Sequence, residues 1–146
     1  MNILVIDGQG GQLGAALVKK LTERMPQARL TAVGTNALAT AAMHKAGAPQ
    51  CASGENPVLV ACRDADVILG PIGIVIADAL LGEVTPRMAQ AVGSARATRI
   101  LIPMNRCENL VAGIEKPTFS SLVDDAVQKT MQAAQRAAEG DGIERI

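Results

Sequence analysis

The strongest constraint on this chain is the segment that joins its first apolar run to its first helical pattern. Residues 3–6 are apolar and largely β-branched, which is typical of a strand buried on both faces of a parallel sheet. The sequence DGQGGQLG follows at once, and a helical pattern covers residues 12–25. A glycine-rich turn at this place lets backbone N–H groups approach an anion at the positive end of a helix dipole. The turn therefore predicts a phosphate or nucleotide site, with a tight turn that binds no ligand as the alternative. The residues of the predicted site are Gly8, Gln9, Gly10, Gly11 and Gly14.

Strand-like and helical patterns alternate along the rest of the chain. The predicted strands cover residues 3–6, 28–33, 49–52, 67–69 and 99–102, with residues 110–114 as a further edge strand. The predicted helices cover residues 12–25, 36–45, 57–64, 73–81 and 85–94, and a last helix begins near residue 118. The alternation predicts an α/β fold, a three-layer α/β/α Rossmann-like domain with a mostly parallel sheet of about five strands. We expect this single domain to span residues 1–138 and a frayed tail to span residues 139–146.

Further candidate ligand-binding residues follow three of the predicted strands. The neutral residues Thr35 and Asn36 follow the second strand, where a dinucleotide site has an acidic group that binds the ribose. Asn36 also suits the N-cap of the next helix. Small residues end the fourth strand, where they permit either close approach of a ligand or a tight turn. Because the carboxyl ends of parallel strands meet at one edge of a sheet, we expect these residues to lie near the glycine turn. They are Thr35, Asn36, Gly70, Pro71, Gly73 and Asn105.

Few side chains are available for catalysis. The chain has no Tyr, no Trp, one Phe and one His. This composition excludes a tyrosyl acid or base, a two-histidine zinc site and an aromatic platform for nucleic-acid bases. The remaining catalytic candidates are Asp7, Arg106 and Cys107, since an arginine beside a cysteine lowers the pKa of the thiol. The alternative for Cys107 is an incidental thiol. The spacing of the three cysteines and His44 matches no zinc module, so no metal site is predicted.

Charge and hydropathy bound the partners and the compartment. The 14 basic and 14 acidic residues cancel, which argues against a nucleic-acid or anionic-membrane partner. The longest uncharged apolar stretch, residues 67–77, is too short to span a bilayer, and the N-terminal sequence lacks the basic segment of a signal peptide. Three cysteines without a paired framework fit a reducing compartment. We expect a cytoplasmic protein.

Residues 72–84 suggest self-association. Their predicted helix is apolar nearly all round, and a sheet can cover only one face of it. We therefore expect a homodimer or a larger closed assembly through this segment. The alternative is that the C-terminal helix covers the apolar face within one chain.

The order of several motifs resembles that of a known family. The segments DGQGG, GTNA, GEN, DADVILGPIGI, LLGEVTP and ILIPMNRC are together similar to an uncharacterised bacterial family, domain of unknown function 3842, over nearly the whole chain. That family has no established activity, so the resemblance implies none.

A more distant resemblance covers residues 1–71, which are similar to Rossmann NAD(P)-binding domains. It implies NAD or NADP as cofactor. The chain departs from those domains in two respects, because it has neither an acidic residue at positions 35 and 36 nor a Tyr for the YxxxK pair of short-chain dehydrogenases.

These observations favour a nucleotide- or dinucleotide-binding protein that takes a small phosphorylated ligand. Two alternatives stay open: a small NAD(P)-dependent oxidoreductase, and a homo-oligomeric structural or regulatory subunit that binds no ligand. Whether the chain is an enzyme is left undecided by its sequence.

Overall fold

Five parallel strands form one sheet in the computed structural model, which describes residues 1–104 and 109–140. The strands are β1 (Asn2–Asp7), β2 (Arg29–Gly34), β3 (Gln50–Ser53), β4 (Val67–Pro71) and β5 (Thr98–Ile102), and their order across the sheet is β3-β2-β1-β4-β5. All four neighbouring pairs are parallel. The central strand β1 is buried along its length because it is hydrogen-bonded on both edges and covered on both faces. The predicted Rossmann-like α/β fold is confirmed.

Helices cover both faces of this sheet. The helices are α1 (Gln12–Arg24), α2 (Ala37–Lys45), α3 (Glu55–Ala61), α4 (Pro86–Ser94) and α5 (Phe119–Glu139). Successive residues of β1 point to opposite faces, so Ile3 and Val5 pack with α1, α2 and α5, while Leu4 and Ile6 pack with α3 and α4. The sheet is therefore the middle of three layers.

Side-chain caps begin three of the helices where the sequence predicts a start. Asn36 accepts a hydrogen bond from the N–H of Ala39 and so caps α2. Thr85 caps α4 in the same way, with Pro86 at the first helical position. Thr118 caps α5. Helix α3 begins at Glu55, two residues before the predicted start at Pro57.

Two predicted elements are wrong. Residues 73–81 do not form a helix; a 3₁₀ turn spans Ile72–Val75, and turns follow it up to α4. In that segment Asp78, Leu80 and Leu81 all have a positive φ. The N–H of Asp78 donates to the Val84 carbonyl oxygen, and the N–H of Val84 donates to the Ala79 carbonyl oxygen. Val84 is buried among the apolar residues between the sheet and helices α3 and α4. This burial stabilises the compact loop relative to a continuous helix. Residues 110–114 form no strand, and Leu110 is fully exposed.

The chain ends have two further features. Helix α5 runs to Glu139 and is closed by Gly140 in the left-handed conformation, so the predicted tail over residues 139–146 begins inside the helix, and residues 141–146 lie outside the described part. Among the helices of the described residues, none combines the length and the apolar composition needed to cross a membrane.

Candidate functional site at the carboxyl edge of the sheet

The strand order places a topological switch point beside the end of β1. The chain passes from β1 to β2 and β3 on one side, and β4 and β5 lie on the other. Ligands of open α/β sheets bind at such a reversal, outside the carboxyl ends of the strands. The sequence places the glycine turn here, after Asp7, and β2 and β4 end beside it at Gly34 and Pro71. The fold therefore brings the predicted residues 7–14, 34–36 and 70–73 to one edge.

Asp7 is part of the turn itself. Its side chain is buried, and its two carboxylate oxygens accept hydrogen bonds from the N–H of Gly8 at 2.8 Å and from the N–H of Gly14 at 2.7 Å. Burial raises the pKa of Asp7, the two N–H groups oppose that rise, and the nearby Glu83 carboxylate adds to it. With both oxygens engaged, this carboxylate closes the β1–α1 turn.

Three glycines of the turn are required by close packing. A Cβ at Gly8 would lie 2.6 Å from the Thr35 hydroxyl oxygen. Gly11 has a φ of 72°, and a Cβ there would lie 2.7 Å from the Cα of Ala39 in α2. A Cβ at Gly14 would lie 2.5 Å from the sulfur of Met43. These glycines allow α1 and α2 to lie close to the edge of the sheet. A tight turn without a ligand, the alternative given in the sequence analysis, would require the same three glycines.

Gly10 differs from those three glycines. It is exposed, and a Cβ there would have no atom within 4 Å. The N–H groups of Gly10, Gln12 and Leu13 have no acceptor among the residues that the structure describes, since Asp7 takes only the N–H groups of Gly8 and Gly14. The start of α1 thus presents free donors and open space at the switch point.

A second polar cluster lies beside the turn and contains a residue that the sequence analysis missed. The Glu83 carboxylate accepts hydrogen bonds from the Gln9 N–H, at 3.1 and 3.2 Å, from the Thr35 hydroxyl at 3.2 Å and from the Asn36 side-chain amide. Asn36 also donates to the Gln9 carbonyl oxygen at 3.0 Å. Thr35 and Asn36 therefore lie beside the glycine turn, and Asn36 caps α2 as well.

Glu83 comes from the loop between β4 and α4, far along the chain from the turn. The only signal for it in the sequence is its place in LLGEVTP, where an acid directly follows Gly82 just after a predicted helix. In the structure Gly82 has a φ of 86°. Its contacts depend on three loops meeting, which local patterns do not reveal.

The end of β4 has a mainly structural geometry. A Cβ at Gly70 would lie 2.4 Å from the Ile6 carbonyl oxygen, so a glycine allows β4 to approach β1. Pro71 and Gly73 are buried and begin the 3₁₀ turn. They lie at the carboxyl end of β4, next to β1 in the sheet.

The remaining candidates are outside the described part of the chain or away from the site. Asn105, Arg106 and Cys107 lie outside the described residues. Burial raises the pKa of the Cys51 thiol and raises that of Cys62 to about 11, so neither is an activated nucleophile. His44 is exposed on α2. Within residues 1–104 and 109–140, no group of three or more His, Cys, Asp or Glu side chains could hold a metal ion.

A family model matches this chain over almost its full length. The model describes a domain of unknown function (DUF3842) and matches residues 2–135. The chain belongs to this family. The resemblance drawn from the order of the motifs is confirmed. No curated protein matches the chain.

A solved structure shares the fold. It is the crystal structure of a dodecameric FMN-dependent UbiX-like decarboxylase from Escherichia coli O157:H7, with a TM-score of 0.53 and 17% sequence identity. The match covers 91% of this chain and 94% of that chain. At this identity the likeness concerns the fold alone.

Proposed function

We propose that this protein binds a nucleotide or a dinucleotide, with a phosphate group on the turn between β1 and α1. The observation that carries the proposal is the open start of α1 at the switch point, where the N–H groups of Gly10, Gln12 and Leu13 have no acceptor among the described residues and Gly10 leaves space beside them. Such N–H groups and the helix dipole together attract an anion.

Both the fold and the chemistry of the turn bear on the class of cofactor. NAD and NADP are suggested by the Rossmann-like order of elements, and FMN enters because the structural neighbour is FMN-dependent. The backbone donors of the turn fit a phosphate group. The chain has no Trp or Tyr to stack on a flavin or nicotinamide ring, so binding would rest on the phosphate and the sugar.

A binding role is favoured over an oxidoreductase. Both oxygens of Asp7 accept backbone hydrogen bonds, so Asp7 is not free to exchange protons with a substrate. The described residues offer no activated thiol, because burial raises the pKa of both described cysteines. We infer a ligand-binding, regulatory role without redox chemistry of its own.

The first prediction tests the phosphate site with matched glycine variants. Thermal-shift measurements with FMN, NAD, NADP, ATP, GTP and a sugar phosphate identify a ligand, since a ligand at 100 times its Kd stabilises the fold by about 2.7 kcal/mol. Gly10→Ala adds a methyl group where a Cβ meets no protein atom, so the fold is retained while the phosphate is held off. We expect affinity to fall by about tenfold, or about 1.4 kcal/mol.

Gly93→Ala in α4 is the control, because a Cβ there also meets no atom within 4 Å and the residue is on another element. It should leave the affinity unchanged. The absence of a thermal shift with every ligand of the panel would reject the proposed function.

We also propose that the protein is a homo-oligomer. Leu81 is 97% exposed at the tip of the loop before α4. Leu110, Val111, Ile114 and Phe119 are exposed on the segment before and at the start of α5. A second copy of the chain is the simplest partner for such apolar surface, and a two-fold axis is the commonest arrangement.

A further inference from the structure

The Glu83 carboxylate is held in one position by donors from two loops. The Gln9 N–H reaches both of its oxygens, and the Thr35 hydroxyl and the Asn36 amide reach Oε1. Glu83 itself is half-buried. A carboxylate has about four acceptor positions, so Oε2, which takes only the Gln9 bond among the described contacts, retains capacity for another donor. The group is therefore a preorganised acceptor beside the glycine turn.

Its place in the fold is informative. In dinucleotide-binding sheets, an acidic residue at the end of the second strand accepts hydrogen bonds from the ribose hydroxyls. Here β2 is followed by the neutral residues Thr35 and Asn36. Both of them donate to Glu83. A carboxylate from the loop before α4 therefore lies beside the end of β2, where the residues that follow the strand are neutral. It also adjoins the phosphate turn, because a Cβ at Gly8 would lie 3.6 Å from Glu83 Oε2.

We propose that Glu83 is the specificity-determining residue of this site and that it accepts hydrogen bonds from the vicinal hydroxyls of a ribose. The inference rests on the proposed function and narrows its ligand class to ribonucleotides with free 2′ and 3′ hydroxyls. A phosphate at the 2′ position would meet the carboxylate and be repelled. The site therefore selects NAD over NADP and a ribonucleotide over its 2′-deoxy form.

Calorimetric titration of the full chain with NAD, NADP, ATP and 2′-deoxy-ATP tests this selection. Loss of a hydrogen bond to a charged acceptor weakens binding by about tenfold to hundredfold, which is the expected preference of the wild-type protein within each pair. Glu83→Gln removes the charge but keeps the shape of the side chain. In that variant the preference within each pair should fall to about threefold or less.

Asp78→Asn is the matched control. Asp78 lies in the same loop, is exposed and has a φ of 64°, a conformation that Asn tolerates. It removes one negative charge from the loop without touching the cluster, so both preferences should persist. The melting temperatures of the unliganded variants establish that each is folded.

The outcomes separate the inference from the proposed function. Equal affinity of the wild-type protein for both members of each pair would overturn the role of Glu83 and leave the nucleotide site standing. Tighter binding by Glu83→Gln would also overturn it, since Glu83 would then compete with the ligand for the turn. If none of the four nucleotides binds to any variant, the inference fails, while the proposed function is decided by the wider thermal-shift panel.

Discussion

At the residue scale, Asp7 couples the turn to pH. Its folded pKa is raised above the ordinary value of 3.8 chiefly because the side chain is buried. The folded chain therefore binds this proton more tightly than the unfolded chain does. The stabilisation that results is complete below pH 3.8 and is lost as the pH rises through the folded pKa.

Asp7→Asn measures this coupling. We expect the free energy of unfolding of the wild-type protein, relative to the variant, to fall by up to about 1.4 kcal/mol per pH unit as the pH rises from 3.8. Where Asp7 is ionised, its carboxylate accepts from both Gly8 and Gly14, whereas the amide of the variant has one acceptor oxygen and loses one of the two bonds. Urea unfolding of both proteins at a series of pH values gives the difference. A difference that does not change with pH would contradict the raised pKa.

Glu83 shows how a residue gains its role only from its neighbours. On its own it is an acid after a glycine in a loop. The donors that hold it come from the turn after β1 and from the start of α2, at Gln9, Thr35 and Asn36. Those three residues were predicted as site residues from their places after strands, and the acid that completes the cluster was not.

At the scale of elements, β4 depends on a glycine for its distance from β1. A Cβ at Gly70 would lie 2.4 Å from the Ile6 carbonyl oxygen and 2.9 Å from the Ile74 side chain. The backbone oxygen cannot move without breaking the pairing of two central strands. The close approach therefore fixes how the carboxyl end of β4 lies against β1.

Gly70→Ala should lower the free energy of unfolding by about 2 kcal/mol or more, because overpacking against backbone forces the strands apart. Chemical denaturation measures the change. Gly93→Ala serves again as the comparison and should be neutral or slightly stabilising, since it replaces a glycine in a helix with open space around it. Unchanged stability of Gly70→Ala would show that β4 can shift freely.

The loop between the 3₁₀ turn and α4 explains why the helix predicted over residues 73–81 is wrong. The apolar residues of that stretch and its single acid, Asp78, read as a helix when only periodicity is considered. In the fold, the backbone N–H of Asp78 bonds to the Val84 carbonyl oxygen at 2.8 Å, and Val84 is buried. Tertiary burial outweighs helix propensity because a propensity difference is a fraction of a kcal/mol per residue.

At the scale of the whole molecule, exposed leucines predict association. Light scattering at micromolar concentration should give a mass that is a multiple of 15.1 kDa. Leu81→Asn removes an apolar side chain that is 97% exposed and suits its φ of 58°, so it should shift the protein toward the monomer.

Leu38→Gln is the comparison, because Leu38 is 68% exposed on α2, outside that loop. It should leave the mass unchanged. A wild-type mass near 15.1 kDa would reject the homo-oligomer.

The sequence by itself determined the alternation of strands and helices, the parallel sheet and the edge of the sheet at which the glycine turn lies. These follow from local features: apolar runs of strand length, a glycine turn after the first of them, and capping residues such as Asn36 and Thr85 at helix starts. The family was also within its reach, through the order of its motifs.

Only the tertiary structure decided what each residue does at that edge. Neighbouring side chains and backbone leave no room for a Cβ at Gly8, Gly11 and Gly14, whereas a Cβ at Gly10 would meet no atom within 4 Å. The sequence gives the same signal, a glycine in the turn, for all four. Asp7 turns inward to the backbone, and Glu83 arrives from a distant loop. The physical reason is that packing and hydrogen bonding join residues far apart in the chain, while periodicity and propensity report only on near neighbours.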